Sequence, residues 1–272
     1  MSQQVLQQIP ATSGNLSEMP DQVVDAVCRR FREVGVMLFK DVLTPGKVEA
    51  LRDAYEATCS QYHRDMKHDD ALLVGVMRHM ITVPFSGPFN DPDVYANPHV
   101  MPVIRKLLGE TAILGSFVSV TSLPGAPEQH AHRDVPLLFE DQDQTPELPV
   151  YCTTLVLPLV EMNATNGTTA FFPGFRADNA WTTDEILRPE VPVGSAVLFD
   201  SRIWHFGTEN LSDSTRPVLY NNYQRPWFRD AANFYRQERL ALSDEEYDRI
   251  SEAHRGLMAW TREPNRHGGD RA

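Results

Sequence analysis

The chain has 272 residues, of which 42% are hydrophobic and 23% charged, as is typical of a folded globular protein. Its net charge of −12 argues against a nucleic-acid partner or an anionic membrane surface, since both attract basic proteins. No apolar run approaches the ~20 residues of a membrane span. The polar first 20 residues lack a signal-peptide pattern, and the three cysteines include no CxxC pair, so a cytoplasmic location is expected.

The N-terminal region predicts a flexible arm over residues 1–20, followed by a helix. Asp21 is the expected cap of this helix, which runs to Val34 and is ended by Gly35. Four apolar residues at helical spacing form its expected buried stripe. They are Val23, Val27, Phe31 and Val34.

The next segment predicts a short strand over 36–39 and a second helix that Thr44 caps, with Pro45 as its first residue. Residues 64–97 show no clean period and contain several prolines, so a long loop with short helical pieces is expected there. A helix over 99–108 follows.

Residues 69–90 are predicted to cover a pocket, because long ordered loops are often functional lids. Met77, His79 and Phe85 in this segment are candidate substrate contacts, together with Trp204 near the later strands. Their mainly apolar character suits a small, largely apolar substrate.

From residue 111 onward, short runs rich in β-branched and aromatic residues alternate with turn residues, which predicts a sandwich, jelly roll or barrel. The six predicted strand regions are 111–123, 149–160, 168–172, 194–200, 203–207 and 217–224. Helices are expected again over 231–240 and from a cap at Ser243 to about residue 260, before a frayed tail over 263–272. No linker divides the chain, so a single domain over 21–262 is predicted.

The strongest chemical signal is the pair His132 and Asp134, which alternate along a predicted strand and therefore share one face. A later strand offers His205 as a third ligand. Two histidines and one carboxylate on one face of a metal ion form the facial triad of non-haem Fe(II) oxygenases, with three positions left open. His130 shares the same face, where a structural hydrogen bond is an equally good interpretation.

Arg216 follows His205 at the start of the next predicted strand. If the two strands pair, its guanidinium can reach the same cavity, where a buried arginine favours a carboxylate held by two hydrogen bonds. A surface position at the sheet edge is the alternative.

Several short motifs resemble, in order, those of the phytanoyl-CoA dioxygenase family of Fe(II)/2-oxoglutarate-dependent oxygenases, across roughly residues 34–225. The matching stretches are 34–45, Pro124-Gly125, Gln129 with His132 and Asp134, Asn166-Gly167-Thr168, Phe172-Pro173-Gly174, Gly194-Ser195, Phe199-Asp200, His205, Gly207, Asn210 and Arg216-Pro217.

The resemblance implies a mainly β, cupin-like double-stranded β-helix (a jelly roll) with flanking N- and C-terminal helices. It implies Fe(II) held by His132, Asp134 and His205, and 2-oxoglutarate held through its distal carboxylate by Arg216. It further implies that Gln129 and, more weakly, Thr168 contact the co-substrate or substrate. Such enzymes use O2 to oxidise a C–H bond of a small molecule and release succinate and CO2.

Two positions refine this interpretation. The family commonly continues Pro-Gly-Ser-His, whereas Pro173-Gly174 is followed here by Phe175-Arg176. The carboxylate at Asp134 favours oxygenation over halogenation, because related halogenases carry a small residue there.

A secondary-metabolite biosynthetic enzyme is the preferred hypothesis. The alternatives are a catalytically inactive jelly roll and a non-oxygenase, cupin-like metal-binding protein such as an isomerase or hydrolase. The substrate and the oligomeric state, with a homodimer among the options, stay open.

Overall fold

The computed structural model describes residues 8–10, 20–63, 71–138, 148–175, 180–230, 233–234 and 237–263. Within these ranges the strands are β1 (Gln8–Pro10), β2 (Val36–Lys40), β3 (Ala71–Gly75), β4 (Arg78–Thr82), β5 (Ile113–Ser122), β6 (Cys152–Pro158), β7 (Thr169–Phe171), β8 (Ala196–Asp200), β9 (His205–Gly207) and β10 (Arg216–Gln224). The α-helices are α1 (Asp21–Val34), α2 (Pro45–Cys59), α3 (Pro92–Tyr95), α4 (Met101–Leu108), α5 (Asp244–Arg249) and α6 (Glu252–Arg255). Short 3₁₀ turns span Ser60–His63, Gly87–Asn90, Thr183–Glu185 and Ala259–Arg262.

Eight strands form one sheet in the order β1-β2-β8-β6-β10-β5-β4-β3, in which only the β1–β2 pair is parallel. Strands β7 and β9 pair antiparallel as a second, smaller sheet. Neighbours that are distant in sequence, such as β10 between β5 and β6, are typical of jelly-roll connections. The predicted mainly β jelly roll with flanking helices is confirmed, and each of the six strand regions expected from residue 111 onward contains an observed strand.

The two faces of the large sheet have different partners. One face carries residues such as Leu155, Leu198 and Leu219, which belong to the main hydrophobic core together with residues of α1, α2 and α4. The alternate residues of β4, β5 and β10 point to the other face, where they line a cavity that β7 and β9 also line. Side-chain alternation in the strands therefore separates a packed face from a cavity face.

Helix α1 confirms the predicted helix but not its first turn. Asp21 is the first helical residue rather than the cap, and Val23 is 40% exposed while Val24 takes the buried position. Gly35 ends the helix at φ +82°, and a Cβ there would lie 2.6 Å from Cγ2 of Ile203. Glycine is therefore required on both conformational and steric grounds.

Helix α2 begins as predicted, because the Thr44 side chain accepts a hydrogen bond from the Lys47 amide and Pro45 occupies the first turn. The loop expected over 64–97 is only partly a loop. Residues 71–82 form the β3–β4 hairpin, which extends the large sheet, and short helical pieces follow. The hairpin was missed because its turn contains Met77 at φ +53°, without the Asn-Gly or Asp-Gly signal of a tight turn.

The helix predicted over 231–240 is wrong for the described residues of that segment, none of which is helical. Their backbone carbonyls are used by other elements: Arg239 accepts from the Phe117 amide and Glu238 from the Thr82 hydroxyl. The helix predicted from Ser243 begins at that cap but ends at Arg249, because the chain turns at Ile250 to pack this side chain in the core.

The three residues of β1 show that part of the predicted arm pairs with β2. The other residues of the arm, apart from Pro20, and the tail from residue 264 lie outside the described residues. The single-domain division stays a prediction. Among the helices that the structure describes, none has the length and apolar character needed to cross a membrane.

Candidate metal centre

His132, Asp134 and His205 converge although they lie far apart in the sequence. His132 and His205 face each other as an antiparallel bridge, with N–H···O distances of 2.9 Å in both directions. The Asp134 amide donates to the carbonyl of Ser201 at 3.1 Å, which ties the next turn to the same edge. One ligand atom from each of the three side chains lies within 4.8 Å of the others.

Hydrogen bonds fix the orientation of both imidazoles. Nδ1 of His132 lies 3.0 Å from the carbonyl of His130, and Nδ1 of His205 lies 3.1 Å from the carbonyl of Ile203. A carbonyl only accepts, so each Nδ1 carries a proton and each Nε2 is the atom available to a metal ion. This outer hydrogen bond to a carbonyl is the usual support of a metal-binding histidine. His130 thus contributes its backbone, and its side chain also lines the cavity.

The Asp134 carboxylate is placed between a histidine and a hydroxyl. Its Oδ1 lies 3.2 Å from Nε2 of His205, and its Oδ2 accepts from Thr154 at 3.4 Å. Burial raises the pKa of Asp134, but the two neighbouring histidines outweigh it and hold the pKa below its ordinary value. Burial lowers the pKa of His132, and the nearby His205 adds to this effect. Burial also lowers the pKa of His205, but the adjoining Asp134 outweighs it and raises this pKa above its ordinary value, so a bound metal ion would displace the proton that Nε2 of His205 shares with the carboxylate. The carboxylate is therefore ionised, as a metal ligand must be.

The donor set fits Fe(II). Two neutral imidazole nitrogens and one carboxylate oxygen on one side of a site form the facial arrangement that leaves positions open for a co-substrate and O2. The aromatic rings of Phe171 and Phe199 pack near His205, at centroid distances of 6.2 and 4.8 Å. They limit solvent access on that side of the imidazole.

A cavity of about 570 Å³ opens beside the three ligands. Its sheet wall follows the register of β4, β5, β10 and β6, because residues paired across antiparallel strands point to the same face. The paired residues form four rows: Arg78–Ser122–Arg216, Met80–Val120–Val218–Pro158, Thr82–Val118–Tyr220–Val156 and Ser116–Asn222–Thr154. The members of these rows that line the cavity are Arg78, Met80, Val118, Val120, Tyr220, Ser116, Asn222 and Thr154. The wall thus changes from cationic at one end, through aliphatic, to polar beside Asp134.

Arg216 begins β10 and is 3% exposed, so the surface interpretation is excluded. Within the described chain its Nε has no hydrogen-bond partner and no carboxylate forms an ion pair with it. Burial, with the repulsion of Arg78, lowers the pKa of Arg216 to about 10. A buried guanidinium without an anion is costly, so this end of the cavity is suited to a carboxylate ligand.

Gln129 lines the cavity, but its amide is already engaged. Its Oε1 accepts from the Gly207 amide at 2.8 Å, and its Nε2 donates to the carbonyl of Val74. The residue therefore connects β9 to β3 near the metal ligands. Its predicted contact with the co-substrate or substrate remains a prediction. Such a contact requires Oε1 or Nε2 of Gln129 to bond the ligand in addition to its present partner.

Thr168 lies away from the metal ligands. Its hydroxyl donates to the carbonyl of Pro189 at 2.6 Å, and the cavity is lined instead by the next residue, Thr169. Thr169 hydrogen-bonds the hydroxyl of Tyr220, so it belongs to the cavity wall. The prediction for Thr168 was one residue out of phase on a strand whose side chains alternate.

The four predicted substrate contacts are absent from the described residues that line the cavity. His79 is 0% exposed on the packed face of β4, where it stacks on His63 at 5.5 Å, and Phe85 is 1% exposed in the core beside Tyr95 and Phe117. Both predictions are wrong. The segment 69–90 nevertheless contributes to the cavity, through other residues of its β3–β4 hairpin. They are Leu73, Val74, Gly75, Val76, Arg78 and Met80.

Met77 occupies the hairpin turn, with Sδ 3.9 Å from the position of a Cβ on Gly125. Trp204 directly precedes β9, and the Arg133 guanidinium stacks on its ring at 4.5 Å. Neither is among the described residues that line the cavity. Trp204 could have been excluded from the sequence, because its neighbour His205 must point inward and adjacent strand residues point to opposite faces.

The fold and the three convergent ligands define a non-haem, metal-dependent oxygenase of the jelly-roll class. The family model described as phytanoyl-CoA dioxygenase matches residues 31–218. The chain belongs to this family of Fe(II)/2-oxoglutarate-dependent oxygenases, which consume O2.

Several curated relatives are named as dioxygenases. The chain is 29% identical to dioxygenase af480 of Aspergillus fumigatus over 52% of this chain and 47% of the relative. It is 25% identical to the Fe(II)/2-oxoglutarate-dependent dioxygenase nvfF of Aspergillus novofumigatus, over 70% of this chain and 68% of that protein. The match thus spans about half of the first relative and about two thirds of the second.

Solved structures share the fold. The α-ketoglutarate-dependent carbocyclase SnoK from nogalamycin biosynthesis matches with a TM-score of 0.59 at 19% identity, covering 89% of this chain and 94% of that chain. The epimerase SnoN from the same biosynthesis matches with a TM-score of 0.59 at 13% identity, over 82% and 90% of the two chains. At this identity the likeness establishes the fold and nothing about the substrate.

Proposed function

We propose that the protein oxidises an unactivated C–H bond of a small, largely apolar molecule in secondary-metabolite biosynthesis, with release of succinate and CO2. The observation that carries this proposal is the aliphatic middle of the cavity wall beside the metal ligands. Met80, Val118 and Val120 form it, and Leu73 and Val76 continue it to the mouth. Predominantly apolar pockets of about 300–1,000 Å³ are typical of small-molecule sites.

In this proposal His132, Asp134 and His205 hold Fe(II), which supplies the oxidising chemistry when bound with 2-oxoglutarate and O2. The Nδ1–H bonds to backbone carbonyls keep both imidazoles in the ligand tautomer. Arg216 binds the distal carboxylate of 2-oxoglutarate. The aliphatic wall orients the substrate and excludes water from the reacting carbon, so that oxidation is directed to one C–H bond.

Two observations support the proposal. SnoK and SnoN, which share the fold, are from nogalamycin biosynthesis, which supports the biosynthetic role. The name of nvfF includes Fe(II) and 2-oxoglutarate, which supports the oxygenase chemistry. Hydroxylation is the proposed outcome, and desaturation or epoxidation can arise from the same oxidation. The alternative is a catalytically inactive or non-oxygenase cupin-like protein. The intact ligand set and the unpartnered Arg216 favour the oxygenase.

The test is succinate formation from 2-oxoglutarate with Fe(II) and O2, measured alone and with a panel of small molecules of graded polarity. Apolar compounds should stimulate succinate formation and yield a product heavier by one oxygen. His132→Ala is the matched control, which should form no succinate with any compound. Tight Fe(II) binding without succinate under any condition would overturn the oxygenase in favour of the alternative.

The proposal includes a small-molecule partner and no nucleic-acid or membrane partner, on the strength of the acidic composition. It also includes a cytoplasmic location, on the strength of the three free cysteines. A homodimer stays open. Size-exclusion chromatography with light scattering would determine the oligomeric state, and binding assays with DNA and anionic vesicles should be negative.

A further inference from the structure

The sheet wall of the cavity ends at a pair of polar side chains, Ser116 on β5 and Asn222 on β10. The two residues oppose each other in the strand register, and both line the cavity. Directly after this pair the register shifts, because Gly115 is an extra residue of β5 without a counterpart on β10. A Cβ on Gly115 would clash with Oε1 of Gln224, so glycine is required at this β-bulge. The bulge turns the next residue, Leu114, into the main core, and the cavity face therefore stops at the polar pair.

Both side chains of the pair have hydrogen-bonding capacity to spare. The amide of Asn222 contacts a sulfur atom on both sides, with Sγ of Cys152 at 3.3 Å from Oδ1 and 3.1 Å from Nδ2. A thiol is a weak donor and a weak acceptor, so Oδ1 of Asn222 lacks a strong donor. Ser116 is 5% exposed, and its hydroxyl has no hydrogen-bond partner among the described residues. The pair thus offers a donor and an acceptor to a ligand in the cavity.

Hydrogen bonds connect this polar end to the metal centre. Nδ2 of Asn222 donates to the hydroxyl of Thr154 at 3.3 Å, and that hydroxyl donates to Oδ2 of Asp134 at 3.4 Å. The polar pair is therefore only one side chain away from a metal ligand. It lies at the opposite end of the sheet wall from Arg216, where the distal carboxylate of 2-oxoglutarate is proposed to bind. The polar end is thus left to the substrate.

We propose that Ser116 and Asn222 bind a hydroxyl group of the substrate, which is therefore an apolar alcohol rather than a plain hydrocarbon. This inference rests on the proposed function and names the substrate class for the same site. The Ser116 hydroxyl donates to the substrate oxygen, and the substrate O–H donates to Oδ1 of Asn222. The apolar skeleton then lies along Val118 and Val120, the aliphatic rows of the wall.

The chemistry of the pair selects a hydroxyl over other polar groups. The residues that line the cavity in this last row are Ser116, Asn222 and Thr154, none of which carries a charge to balance a carboxylate. A ketone only accepts, so it would leave Oδ1 of Asn222 without a donor. A site built to hydrogen-bond a substrate hydroxyl rejects analogues that lack it, because its own polar groups are then left unpaired. Anchoring the hydroxyl also fixes which C–H bond faces the metal centre.

The first test compares alcohols with ketones and hydrocarbons of the same skeleton. Two sets serve as probes: menthol, menthone and menthane, and cyclododecanol, cyclododecanone and cyclododecane. Succinate formation by the wild type with Fe(II), 2-oxoglutarate and O2 should show an apparent KM at least about 10-fold lower for each alcohol than for its hydrocarbon, with the ketone between them. Mass spectrometry and NMR should identify one principal diol isomer from each alcohol.

The second test removes the two anchoring groups one at a time. Ser116→Ala and Asn222→Leu should each reduce the preference for alcohol over hydrocarbon by about 5-fold, as expected for one hydrogen bond. Each should also yield a mixture of diol isomers, an effect that a loss of stability alone would not produce. Ser119→Ala is the matched control, since Ser119 is also a buried, unpartnered hydroxyl on β5 but pairs with Ile81 and Leu219 on the packed face. This control should keep the full alcohol preference and the single isomer.

Equal stimulation of the wild type by alcohol and hydrocarbon, or no stimulation by either alcohol, would overturn the inference. A full alcohol preference in both Ser116→Ala and Asn222→Leu would overturn it as well. In each of these cases, succinate formation from 2-oxoglutarate by the wild type with the hydrocarbons or without any added compound would still sustain the proposed function.

Discussion

Arg78 and His79 are neighbours in β4, and both side chains are fully buried with nitrogens that lack a partner in the described chain. Arg78 lies on the cavity face beside two further polar groups. His79 lies on the packed face against the ring of His63. Arginine stays charged, whereas burial lowers the pKa of His79 to about 4 and leaves its ring neutral. A buried polar group therefore indicates a ligand site only where its charge persists and its neighbours also lack partners.

The metal ligands should show the largest effect on the cavity face. His132→Ala, Asp134→Ala and His205→Ala should each abolish succinate formation and lower the Fe(II) content after desalting, because all three ligands are needed to hold the ion. Circular dichroism should show that each variant remains folded. Near-wild-type turnover by any one of them would remove that residue from the ligand set.

The packed face should behave in the opposite way. Phe85→Ala should destabilise the protein by about 3–5 kcal/mol, because it leaves a cavity among Tyr95, Phe89 and Phe117. A thermal melt should show a fall on the order of 10 °C. Succinate formation per folded molecule should remain as in the wild type, both with and without substrate. A selective loss of substrate-dependent oxidation would instead return Phe85 to the substrate site.

Arg216 tests the cationic end of the cavity directly. Replacing one partner of a buried charge pair costs about 2–5 kcal/mol, so Arg216→Gln should raise the apparent KM for 2-oxoglutarate by roughly two orders of magnitude. Arg216→Lys should rescue little, because an ammonium cannot reproduce the planar fork. Fe(II) content is the control and should stay the same. An unchanged KM would leave the distal carboxylate without its predicted partner.

The sequence predicts the metal ligands well for a physical reason. The chemistry of two histidines and a carboxylate is specific, and strand alternation predicts that His132 and Asp134 share a face. In the structure His132 forms an isolated bridge with His205 and Asp134 lies in the bend that follows, so these side chains converge without a continuous strand. The same alternation argues against His79 and Trp204 as substrate contacts. For His79 it requires a strand to be assigned over 78–82, and for Trp204 it requires only that the neighbouring His205 points inward. The position of Arg78 beside Arg216 could not be predicted in this way, because it depends on the register of β4, β5 and β10, which no local pattern encodes.

The C-terminal region shows a second limit of sequence-based prediction. Residues 231–240 have a helical pattern, but the described part of this segment lies beside β4 and β5, where the Thr82 hydroxyl donates to Glu238 and the Phe117 amide to Arg239. Such tertiary hydrogen bonds override a weak local preference. The same segment contributes Asn233, whose amide donates to the carbonyl of Asp134 at 2.7 Å. A residue that holds the backbone of a metal ligand therefore lies in a segment that the sequence predicts to be helical.

The smallest predicted effect is a pH dependence of the free energy of unfolding, which arises from His79 on the packed face. Burial, with the charge of His63, lowers the pKa of His79 from 6.5 to about 4, so the unfolded chain binds a proton more readily than the folded protein between these values. Protonation of His79 therefore lowers the free energy of unfolding. This loss is absent above pH 6.5 and grows to about 3 kcal/mol as the pH falls towards 4. His79→Leu should remove this part of the acid sensitivity, because leucine fills a similar volume without titrating. Urea unfolding of both proteins at pH 5 and pH 8 would measure it. The free energy of unfolding of the variant minus that of the wild type should be larger at pH 5 than at pH 8. An equal difference at both pH values would show that the His79 ring does not titrate in this range.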